Sequence, residues 1–378
     1  MNKISRRNFN KKLSTGLLGT TLIGYMPLSF GITNNEKKSL GIALVGLGSY
    51  STYQLAPALQ DTSFCHLSAI VTGTKDKEQI WKDKYNLAEN CIYNYENFDT
   101  IISNDAVDIV YVVLPNSMHA DFSIRAAKAG KHVICEKPMA INVSECDAII
   151  DACKKEGVKL SVGYRMQSDP YTNEVKKYVR EKTFGSVRHV SSTAAYISRG
   201  NTQQWRLNRA LSGGGALMNM GVYAIQTSIY GTGYNPISIS AQKFSTRPEY
   251  FKNTDETITA QMEFPSGAVA NMFTSHNASG NRMRVSCDNG WFELEPAHSY
   301  GPISGRTSNG NTIYFPHKSQ QALQMDDFAK HILLGTANVA PGEMGKRDMI
   351  IVEAIYKSIA ENGKKQLLDL GTMGIVTK

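Results

Sequence analysis

Residues 41–51 read Gly41-Ile42-Ala43-Leu44-Val45-Gly46-Leu47-Gly48-Ser49-Tyr50-Ser51, an apolar strand followed directly by a glycine turn. A strand that runs through Gly-x-Gly into a helix is the arrangement that binds the pyrophosphate of a dinucleotide. The third position of the motif is the small Ser51. The segment therefore predicts a dinucleotide-binding turn, with the binding residues Gly46, Gly48, Ser49 and Tyr50.

The surrounding sequence predicts a doubly wound parallel sheet. From Gly41 to about Gly163, short apolar runs alternate with segments that carry apolar residues at helical spacing. This alternation is typical of the α/β Rossmann fold. We expect this domain to span residues 40–163, with strands at Ile42–Val45, His66–Val71, Asp108–Leu114, His132–Cys135 and Lys159–Val162.

A second domain, residues 164–378, is expected to begin near Tyr164 without a flexible linker. Its strand-like runs alternate with glycine, asparagine and proline turns, which favours long antiparallel strands of one sheet. One helix, over about Ala216–Gly231, interrupts them, and two more close the chain, over about Gln320–Leu334 and Met344–Asn362. The predicted fold is a Rossmann domain plus an α+β domain with a large, mainly antiparallel sheet.

The distribution of charge argues against nucleic-acid binding. The 378 residues carry a formal net charge of +8, but residues 1–40 alone hold seven Lys/Arg and one acidic residue. The rest of the chain is nearly neutral, so the basic excess belongs to the N-terminus and not to a polyanion-binding surface.

The N-terminus resembles a twin-arginine export signal. Ser5-Arg6-Arg7-Asn8-Phe9-Asn10-Lys11 carries the arginine pair, and no charge follows from Leu13 to Asn35. Glycines dilute this uncharged stretch, which suits a signal better than a membrane-spanning helix, although an uncleaved anchor is the alternative. We expect residues 1–35 to direct export of the folded protein to the periplasm. No soluble nicotinamide pool exists there, so a cofactor would have to stay bound.

No metal site and no disulfide framework are expected. The six cysteines form no Cys-x-x-Cys pair, and no His/Cys cluster has the spacing of metal ligands. We interpret the cysteines as buried thiols.

The end of the second predicted strand discriminates between NAD and NADP. NAD-binding proteins tend to place Asp or Glu about twenty residues beyond the glycines. Here the segment Val71-Thr72-Gly73-Thr74-Lys75-Asp76-Lys77 has no carboxylate at the strand tip. Hydroxyl groups of Thr72 and Thr74, with a cation from Lys75 or Lys77, suit a 2′-phosphate. We therefore predict NADP rather than NAD as the cofactor. The alternative interpretation is that this segment is only the solvated, basic start of a helix.

Glu136-Lys137-Pro138 follows the apolar run His132-Val133-Ile134-Cys135. A lysine after a buried strand, beside Glu136 and before Pro138, is stiff and partly desolvated. It can hydrogen-bond a substrate hydroxyl and keep a neighbouring acid/base group acidic. We predict that Lys137 is catalytic, rather than a surface lysine paired with Glu136.

Pro115 and Asn116 follow the predicted strand Asp108–Leu114. They lie on the cleft side of the sheet, where we expect them to shape the nicotinamide-ribose site. For His119, a place in that site and a simple helix-capping role are equally favoured.

Asn219 and Tyr223 lie four residues apart, on one face of the helix predicted near residue 220. The glycines Gly213–Gly215 let a backbone or a ligand approach the start of this helix closely. Asn219 and Tyr223 are either part of the site or ordinary buried hydrogen-bonding groups.

These motifs together resemble the Gfo/Idh/MocA oxidoreductase family and, within it, the glucose–fructose oxidoreductase branch. The resemblance covers the chain from Leu40 onward. The tryptophan-arginine segment joined to the triple glycine is specific to this branch. Further matching motifs are Gly163-Tyr164-Arg165-Met166, Gln204-Trp205-Arg206-Leu207-Asn208-Arg209, Phe292-Glu293-Leu294-Glu295-Pro296 and Pro341-Gly342-Glu343-Met344-Gly345.

The resemblance implies an open sheet that also makes homo-oligomer contacts, in a dimer or tetramer, and NADP retained through turnover. It implies that Lys137 is the family's catalytic lysine, that Tyr223 takes the position of a catalytic His or Tyr, and that Thr72 and Lys77 hold the 2′-phosphate. The other implied cofactor-binding residues are Gly73, Pro115, Asn116, His119, Glu136, Lys137, Arg165, Trp205 and Arg206. The implied sugar-binding residues are Lys137, Asn219, Tyr223 and Tyr300.

One departure from the family pattern is Asn219, where the family usually has Asp. An amide cannot act as a base, and the loss of a nearby anion should let Tyr223 ionise more easily. A second departure is the short stretch of residues 32–40, which is a longer, cofactor-trapping arm in relatives. The expected activity is oxidation of an aldose to its lactone, with reduction of a second sugar. The alternatives are an NAD-dependent glycosidase of the same family and a non-catalytic sugar- or nucleotide-binding protein.

Overall fold

The computed structural model describes residues 39–200 and 204–376, which all belong to one compact unit. The predicted export signal, residues 1–35, lies outside the described residues. The boundary predicted between residues 163 and 164 stays a prediction.

The first sheet has six parallel strands in the order β3-β2-β1-β4-β5-β6. This order is that of the dinucleotide-binding Rossmann fold, so the predicted parallel sheet is confirmed. All six residues of β1 are buried because both faces of the sheet are covered, which explains the continuous apolar run in the sequence. The strands are β1 Leu40–Val45, β2 Cys65–Val71, β3 Ile92–Tyr93, β4 Ile109–Val112, β5 His132–Cys135 and β6 Leu160–Val162.

Seven helices of ten or more residues occur in the described ranges, and their ends follow local chemistry. The side chain of Asn142 accepts a hydrogen bond from the backbone N–H of Glu145 at the start of the third helix, and Gly157 ends that helix in a left-handed conformation. The helices are α1 Lys75–Tyr85, α2 His119–Lys128, α3 Val143–Glu156, α4 Pro170–Glu181, α5 Val222–Thr232, α6 Gln320–Leu334 and α7 Gly342–Ala360.

Shorter helical segments connect these elements. Two of them are wide π-type turns: Ser51–Leu55, which continues into the helical turn Ala56–Ala58, and Leu217–Gly221, which leads into α5. Another short α-helical turn is Arg209–Ser212. The 3₁₀ turns are Glu89–Cys91, Phe98–Ser103, Asn116–Met118, Arg165–Ser168 and Trp205–Leu207.

The second sheet has nine strands in the order β14-β13-β12-β11-β7-β10-β9-β8-β15. Its neighbouring strands are antiparallel except for β7 and β10, so the predicted mainly antiparallel sheet is confirmed. Helices α5 and α7 pack on this sheet. The strands are β7 Val187–Ala195, β8 Ser238–Phe244, β9 Thr257–Glu263, β10 Val269–Ser275, β11 Gly280–Cys287, β12 Gly290–Leu294, β13 Gly305–Thr307, β14 Thr312–Ile313 and β15 Gln366–Leu367.

Helix α6 comes late in the sequence but packs on the first sheet. Phe328 and Ala329 of this helix share an apolar cluster with Leu44 of β1 and Ile70 of β2. The carboxylate of Asp326 accepts hydrogen bonds from the backbone N–H groups of residues 63 and 64, at 3.0 and 2.8 Å. A late segment thus covers one face of the Rossmann sheet.

The thiols of five cysteines are buried, and Cys287 is partly buried; none forms a disulfide. Residues 39–200 and 204–376 contain no cluster of His, Cys, Asp and Glu suited to a metal ion. No helix in these ranges is long and apolar enough to cross a membrane.

Candidate active site

The glycine turn after β1 has the geometry of a phosphate-binding turn. Gly46 has a φ of +91°, and a Cβ atom there would lie 2.4 Å from the carbonyl oxygen of Val113, so only glycine fits. The hydroxyl of the buried Ser51 donates a 2.6 Å hydrogen bond to the carbonyl oxygen of Gly46, which closes the turn. Gly48 is exposed, with open space where a side chain would project. The backbone is therefore open to the close approach of a pyrophosphate.

The end of β2 lies next to this turn. Lys77 donates a 2.8 Å hydrogen bond from Nζ to the carbonyl oxygen of Leu47, so its cation borders the glycine turn. Thr72 is buried, and its hydroxyl oxygen accepts a 3.2 Å hydrogen bond from the backbone N–H of Thr74. A side chain on Gly73 would clash with the ring of Tyr95. These residues fit the adenosine end of a nicotinamide dinucleotide, and they offer hydroxyl groups and a cation rather than a carboxylate.

The loops after β4 and β5 face the other side of the glycine turn. Asn116 is buried and donates a 2.8 Å hydrogen bond from Nδ2 to the carbonyl oxygen of Ser212. The ring nitrogens of His119 lie 2.9 Å from the carbonyl oxygens of Leu114 and Pro138, and burial lowers the pKa of this histidine. A neutral imidazole has one N–H, so His119 donates to one of these two carbonyl oxygens and packs between the two loops. Pro115 lies half-buried at the start of the first loop.

Lys137 leaves the end of β5 and reaches the second sheet's domain. Its Nζ atom donates a 2.7 Å hydrogen bond to the main-chain carbonyl oxygen of Asn219. The same Nζ atom lies 4.4 Å from the ring centroid of Tyr223. The structure therefore brings together the lysine, asparagine and tyrosine that the sequence predicts as catalytic or substrate-binding residues.

Arg165 lies against the same tyrosine. Its guanidinium carbon is 5.1 Å from the ring centroid of Tyr223 and 4.5 Å from that of Tyr300. The arginine is only 2% exposed and is held by the carbonyl oxygens of His298 and Ser299, at 2.6 and 3.1 Å. Because it is fixed by the main chain, its charge stays beside Tyr223.

The electrostatic surroundings make Tyr223 more acidic than an ordinary tyrosine. Burial on its own would raise the pKa of its phenol, but the positive charges of Arg165 and Lys137 prevail, and the pKa is lowered. Glu136 opposes this effect only in part. A phenol with a lowered pKa takes up and returns a substrate proton more readily than an ordinary tyrosine does.

The carboxylate of Glu136 contacts both the main chain of Lys137 and a strand of the Rossmann sheet. Its Oε2 atom accepts a 3.1 Å hydrogen bond from the backbone N–H of Lys137. Its Oε1 atom accepts a 2.6 Å hydrogen bond from the hydroxyl of Tyr111, which itself accepts a 2.8 Å hydrogen bond from Gln324 of α6. Burial raises the pKa of this carboxyl group. A side chain on Gly163 would lie 2.5 Å from the same oxygen atom, which explains a glycine there. Glu136 thus supports the loop that carries Lys137.

The side chain of Asn219 points toward the second sheet. Its Nδ2 atom lies 3.1 Å from the hydroxyl oxygen of Tyr196 and 3.0 Å from Nε2 of His276. Burial lowers the pKa of His276 to about 4, so this histidine is neutral at physiological pH. The amide therefore has two fixed partners in the protein.

Four aromatic or cationic side chains border this group. The guanidinium of Arg206 lies 4.3 Å from the ring centroid of Trp205, and burial lowers the pKa of that guanidinium. The ring of Tyr300 is 45% exposed and lies 5.9 Å from the ring of Tyr50. Tyr50, which directly precedes the helical turn Ser51–Leu55, thereby contacts the predicted sugar-binding side of the site.

The triple glycine before α5 is needed for packing within the protein. A Cβ atom on Gly215 would lie 2.0 Å from the main-chain oxygen of Asp255, and one on Gly214 would lie 2.0 Å from the hydroxyl of Tyr356. Asp255 also accepts hydrogen bonds from the backbone N–H groups of Gly215 and Leu217, at 2.7 and 2.8 Å. Of the two predicted reasons for the glycines, the close approach of a backbone is the one observed.

Several site residues carry no sequence signal of their own. Tyr111 and Gln324 behind Glu136, and Tyr196 and His276 beside Asn219, occur in strands, a helix or loops with ordinary composition. His298, whose ring stacks on Tyr223 at a centroid distance of 5.8 Å, follows the Glu295-Pro296 motif by two residues. That proximity to a quoted motif is the one hint the sequence offers.

A cavity of about 960 Å³ lies elsewhere, between α4, α5 and residues 374–376. None of the predicted site residues lines it. Its polar floor includes Gln167 and Gln226, whose side chains are hydrogen-bonded to each other. The candidate site is therefore defined by the ends of β1, β2, β4 and β5 and by the start of α5, not by this cavity.

Comparison with known proteins identifies the family. A model of the oxidoreductase family GFO/IDH/MocA, with an NAD-binding Rossmann fold, matches residues 40–164, and a model of the GFO/IDH/MocA C-terminal domain matches residues 172–293. The crystal structure of aldose-aldose oxidoreductase from Caulobacter crescentus, complexed with glycerol, is 40% identical in sequence. It superimposes with a TM-score of 0.84, covering 87% of this chain and 100% of that one.

Two archaeal proteins are more distant relatives. D-xylose 1-dehydrogenase (NADP(+)) from Haloarcula marismortui is 28% identical over 326 residues, which cover 84% of this chain and 90% of that protein. D-xylose 1-dehydrogenase (NADP(+)) 2 from Haloferax volcanii is 27% identical over 282 residues, covering 73% and 85%. Both domain models match, and the aldose-aldose oxidoreductase structure is 40% identical and is covered over its whole chain. The chain therefore belongs to the Gfo/Idh/MocA family of oxidoreductases, as its sequence motifs indicated.

Proposed function

We propose that this protein is an exported, NADP-dependent sugar oxidoreductase. It oxidises an aldose to its lactone and then reduces a second sugar with the same bound cofactor. The observation that carries the proposal is the position of Lys137, with Nζ 2.7 Å from the carbonyl oxygen of Asn219 and 4.4 Å from the ring centroid of Tyr223. A cation and a phenol of lowered pKa thus meet beside the dinucleotide-binding turn.

The proton chemistry is assigned to Tyr223 and Lys137. Tyr223, as phenolate, takes the proton of the anomeric hydroxyl, while Lys137 donates a hydrogen bond to a sugar oxygen and stabilises the phenolate. A nicotinamide dinucleotide, when bound, supplies hydride acceptance and return. In the second half-reaction Tyr223 gives its proton to the carbonyl oxygen of the sugar being reduced, so the cycle neither consumes nor releases protons.

The residues that would hold the cofactor line one edge of the Rossmann sheet. Its pyrophosphate would lie on the turn of Gly46, Gly48, Ser49 and Tyr50, and its 2′-phosphate near Thr72, Gly73 and Lys77. The nicotinamide end would lie near Pro115, Asn116, Trp205 and Arg206. NADP is favoured over NAD because Lys77 borders the turn and the strand tip carries no carboxylate. Both xylose dehydrogenase relatives carry NADP(+) in their names.

The sugar would lie between Tyr223 and the exposed ring of Tyr300, under Lys137 and Asn219. The relatives named for aldose-aldose oxidoreduction and for xylose oxidation support an aldose as the substrate class. The amide of Asn219, already bonded to Tyr196 and His276, would contribute a hydrogen bond to the sugar but no base.

Export and cofactor recycling belong together in this proposal. The twin-arginine motif at residues 5–11 would carry the folded protein, with its cofactor, into a compartment that has no soluble nicotinamide pool. The export signal would be its only association with a membrane. We further propose a homo-oligomer, a dimer or tetramer, with the second sheet as its contact surface.

The products of a single aldose test this proposal. Purified protein loaded with one equivalent of NADP⁺ is incubated with one aldose and no other electron acceptor, and the products are quantified by NMR. We expect the lactone (or its aldonate) and the alditol in equal amounts, in excess of the cofactor present. Release of a free sugar from a glycoside without net oxidation would instead identify the glycosidase, and sugar binding without any product would identify a binding protein.

A further inference from the structure

The turn that carries Asn219 is unusual and well anchored. Residues Leu217–Gly221 form a wide π-type turn just before α5, a feature that often occurs at functional sites. The main-chain carbonyl oxygen of Asn219 accepts the hydrogen bond from Lys137 Nζ. Whatever fixes Asn219 therefore also fixes the lysine above Tyr223.

His276 fixes the side chain of Asn219 to the second sheet. It directly follows β10, and its backbone N–H donates a 2.8 Å hydrogen bond to the carbonyl oxygen of Glu256. Its own carbonyl oxygen accepts hydrogen bonds from the backbone N–H of Ser198 and from Arg247, at 2.8 and 3.3 Å. The imidazole is only 1% exposed. His276 is thus a rigid part of the sheet.

The contact between Asn219 and His276 requires a neutral imidazole. An amide N–H can donate to Nε2 only when this nitrogen carries no proton. Burial, helped by the charges of Arg206 and Lys137 and opposed by Asp255, holds the pKa of His276 at about 4. Tyr196 also faces the imidazole, at a ring distance of 4.9 Å. At neutral pH the nitrogen therefore remains an acceptor.

We propose that His276 is a positioning residue, which acts through the side chain of Asn219 to hold Lys137 above Tyr223. Asparagine suits position 219 because it donates to a neutral histidine, which an aspartate cannot do. The inference rests on the proposed function only in assigning a chemical role to Lys137. The chain of contacts from His276 to Asn219 to Lys137 stands on geometry alone.

Three variants of His276 separate a positioning role from a purely structural one. His276→Gln places an amide oxygen near the position of Nε2 and should preserve the contact, whereas His276→Leu removes it. His276→Asn is too short to reach and serves if the leucine variant does not fold. His66→Leu, at an exposed position on β2, is the matched control. Thermal unfolding of each NADP-loaded variant establishes that it is folded.

Two measurements are made on these variants. The first is the rate at which an amine-reactive acylating reagent modifies Lys137, followed by mass spectrometry without any sugar. The second is the single-turnover rate of hydride transfer from an aldose. Because one neutral hydrogen bond is lost, we expect His276→Leu to slow hydride transfer by about tenfold and to speed labelling of Lys137 by a few-fold. His276→Gln and His66→Leu should stay near the wild-type values.

A double-mutant cycle with Asn219→Ala completes the test. Since both side chains act through one contact, the double variant His276→Leu/Asn219→Ala should be no slower than the slower single variant. Unchanged labelling of Lys137 in His276→Leu, or additive losses in the double variant, would overturn the inference. If no aldose reduces the cofactor even in the wild-type protein, the proposed function fails, and the labelling rates alone still decide whether His276 positions Lys137.

Discussion

The ammonium group of Lys137 lies over the ring of Tyr223, 4.4 Å from its centroid, although the two residues are 86 positions apart in the sequence. The lysine is delivered by the end of a parallel strand and the tyrosine by the start of a helix that packs on the second sheet. Neither domain holds the pair alone. The geometry of the proton-transfer site therefore depends on how the Rossmann sheet and the second sheet are joined.

Replacing Lys137 tests its predicted chemical role. Lys137→Met keeps much of the length of the side chain but removes the cation and its hydrogen bond to Asn219. We expect hydride transfer from an aldose to slow by roughly 10²–10⁴-fold, the usual size of a lost acid/base contribution, while NADP still binds.

Single-turnover absorbance gives the rate, and fluorescence titration gives cofactor binding. Lys159→Met, at an exposed lysine next to strand β6, is the matched control and should behave as the wild type. A Lys137→Met variant with the wild-type rate would remove the lysine from the mechanism.

The lowered pKa of Tyr223 predicts opposite pH dependences for the two half-reactions. Oxidation needs the phenolate, so its rate should rise with pH through a pKa below the ordinary value of about 10. Reduction needs the phenol, so its rate should fall through the same pKa. Arg165→Met should move both transitions to higher pH because it removes a positive charge, whereas Arg165→Lys should move them less. Rapid-mixing measurements from about pH 6 to 10 would show these shifts. If the midpoints of both transitions are the same in the wild type and in Arg165→Met, Tyr223 is not the titrating group.

Lys77 is expected to select the phosphorylated cofactor. The Nζ atom of Lys77 lies beside the glycine turn, 2.8 Å from the carbonyl oxygen of Leu47. Lys77→Ala should weaken NADP binding by about tenfold or more, the effect of one charge-assisted hydrogen bond, and should change NAD binding little. Lys84→Ala, at the other end of the same helix, is the control. If Lys77→Ala weakens the binding of NADP and NAD equally, Lys77 does not bind the 2′-phosphate.

Glu293 is predicted to contribute pH-dependent stability. This carboxylate, 1% exposed on β12, accepts hydrogen bonds from Arg282 and Arg284, at 2.5 and 3.1 Å, and from Arg306. Burial on its own would raise the pKa of Glu293, but the arginines lower it to about 2. Because the folded-state pKa is below the unfolded value of about 4.3, the stabilisation is complete above that value and is lost as the pH falls toward 2.

The corresponding variant is Glu293→Gln. It should be less stable than the wild type at pH 7, by denaturant unfolding, and the difference should shrink as the pH falls below 4. Glu249→Gln, which removes an exposed carboxylate, should cost little at any pH. A Glu293→Gln deficit that is independent of pH would show that packing, not ionisation, is responsible.

The sequence predicts the Rossmann half best, because its strands are buried on both faces and read as uninterrupted apolar runs. No bounds are predicted for helices α1 and α4. Most residues of α1 are polar, and Trp81 is its buried residue. The helix therefore lacks the apolar stripe from which an amphipathic helix is recognised in a sequence. The placement of α6 on the Rossmann sheet has no local signal either, since it depends on a contact between residues more than 260 positions apart.

In the candidate site, too, some residues have a local sequence signal and others are brought together only by distant contacts. Lys137 and the glycine turn are predictable because strand ends in a parallel sheet meet at one edge. The residues that support the site are not predictable from the sequence. Tyr111 and Gln324 meet behind Glu136 only through tertiary packing. The same is true of His276 and Asn219. The helix prediction near residue 220 is confirmed in extent, but the wide turn at Leu217–Gly221 is not predictable from spacing.

The near-ultraviolet absorbance of the protein shows whether one bound cofactor is reduced by a first sugar and reoxidised by a second. Protein carrying one equivalent of NADP⁺ is mixed with an aldose, separated from it, and then mixed with a second sugar. We expect the absorption band of reduced nicotinamide to form with the first sugar and to disappear with the second, without loss of cofactor from the protein. If no aldose produces this band, although the sugars demonstrably bind, the proposed two-step cycle is wrong.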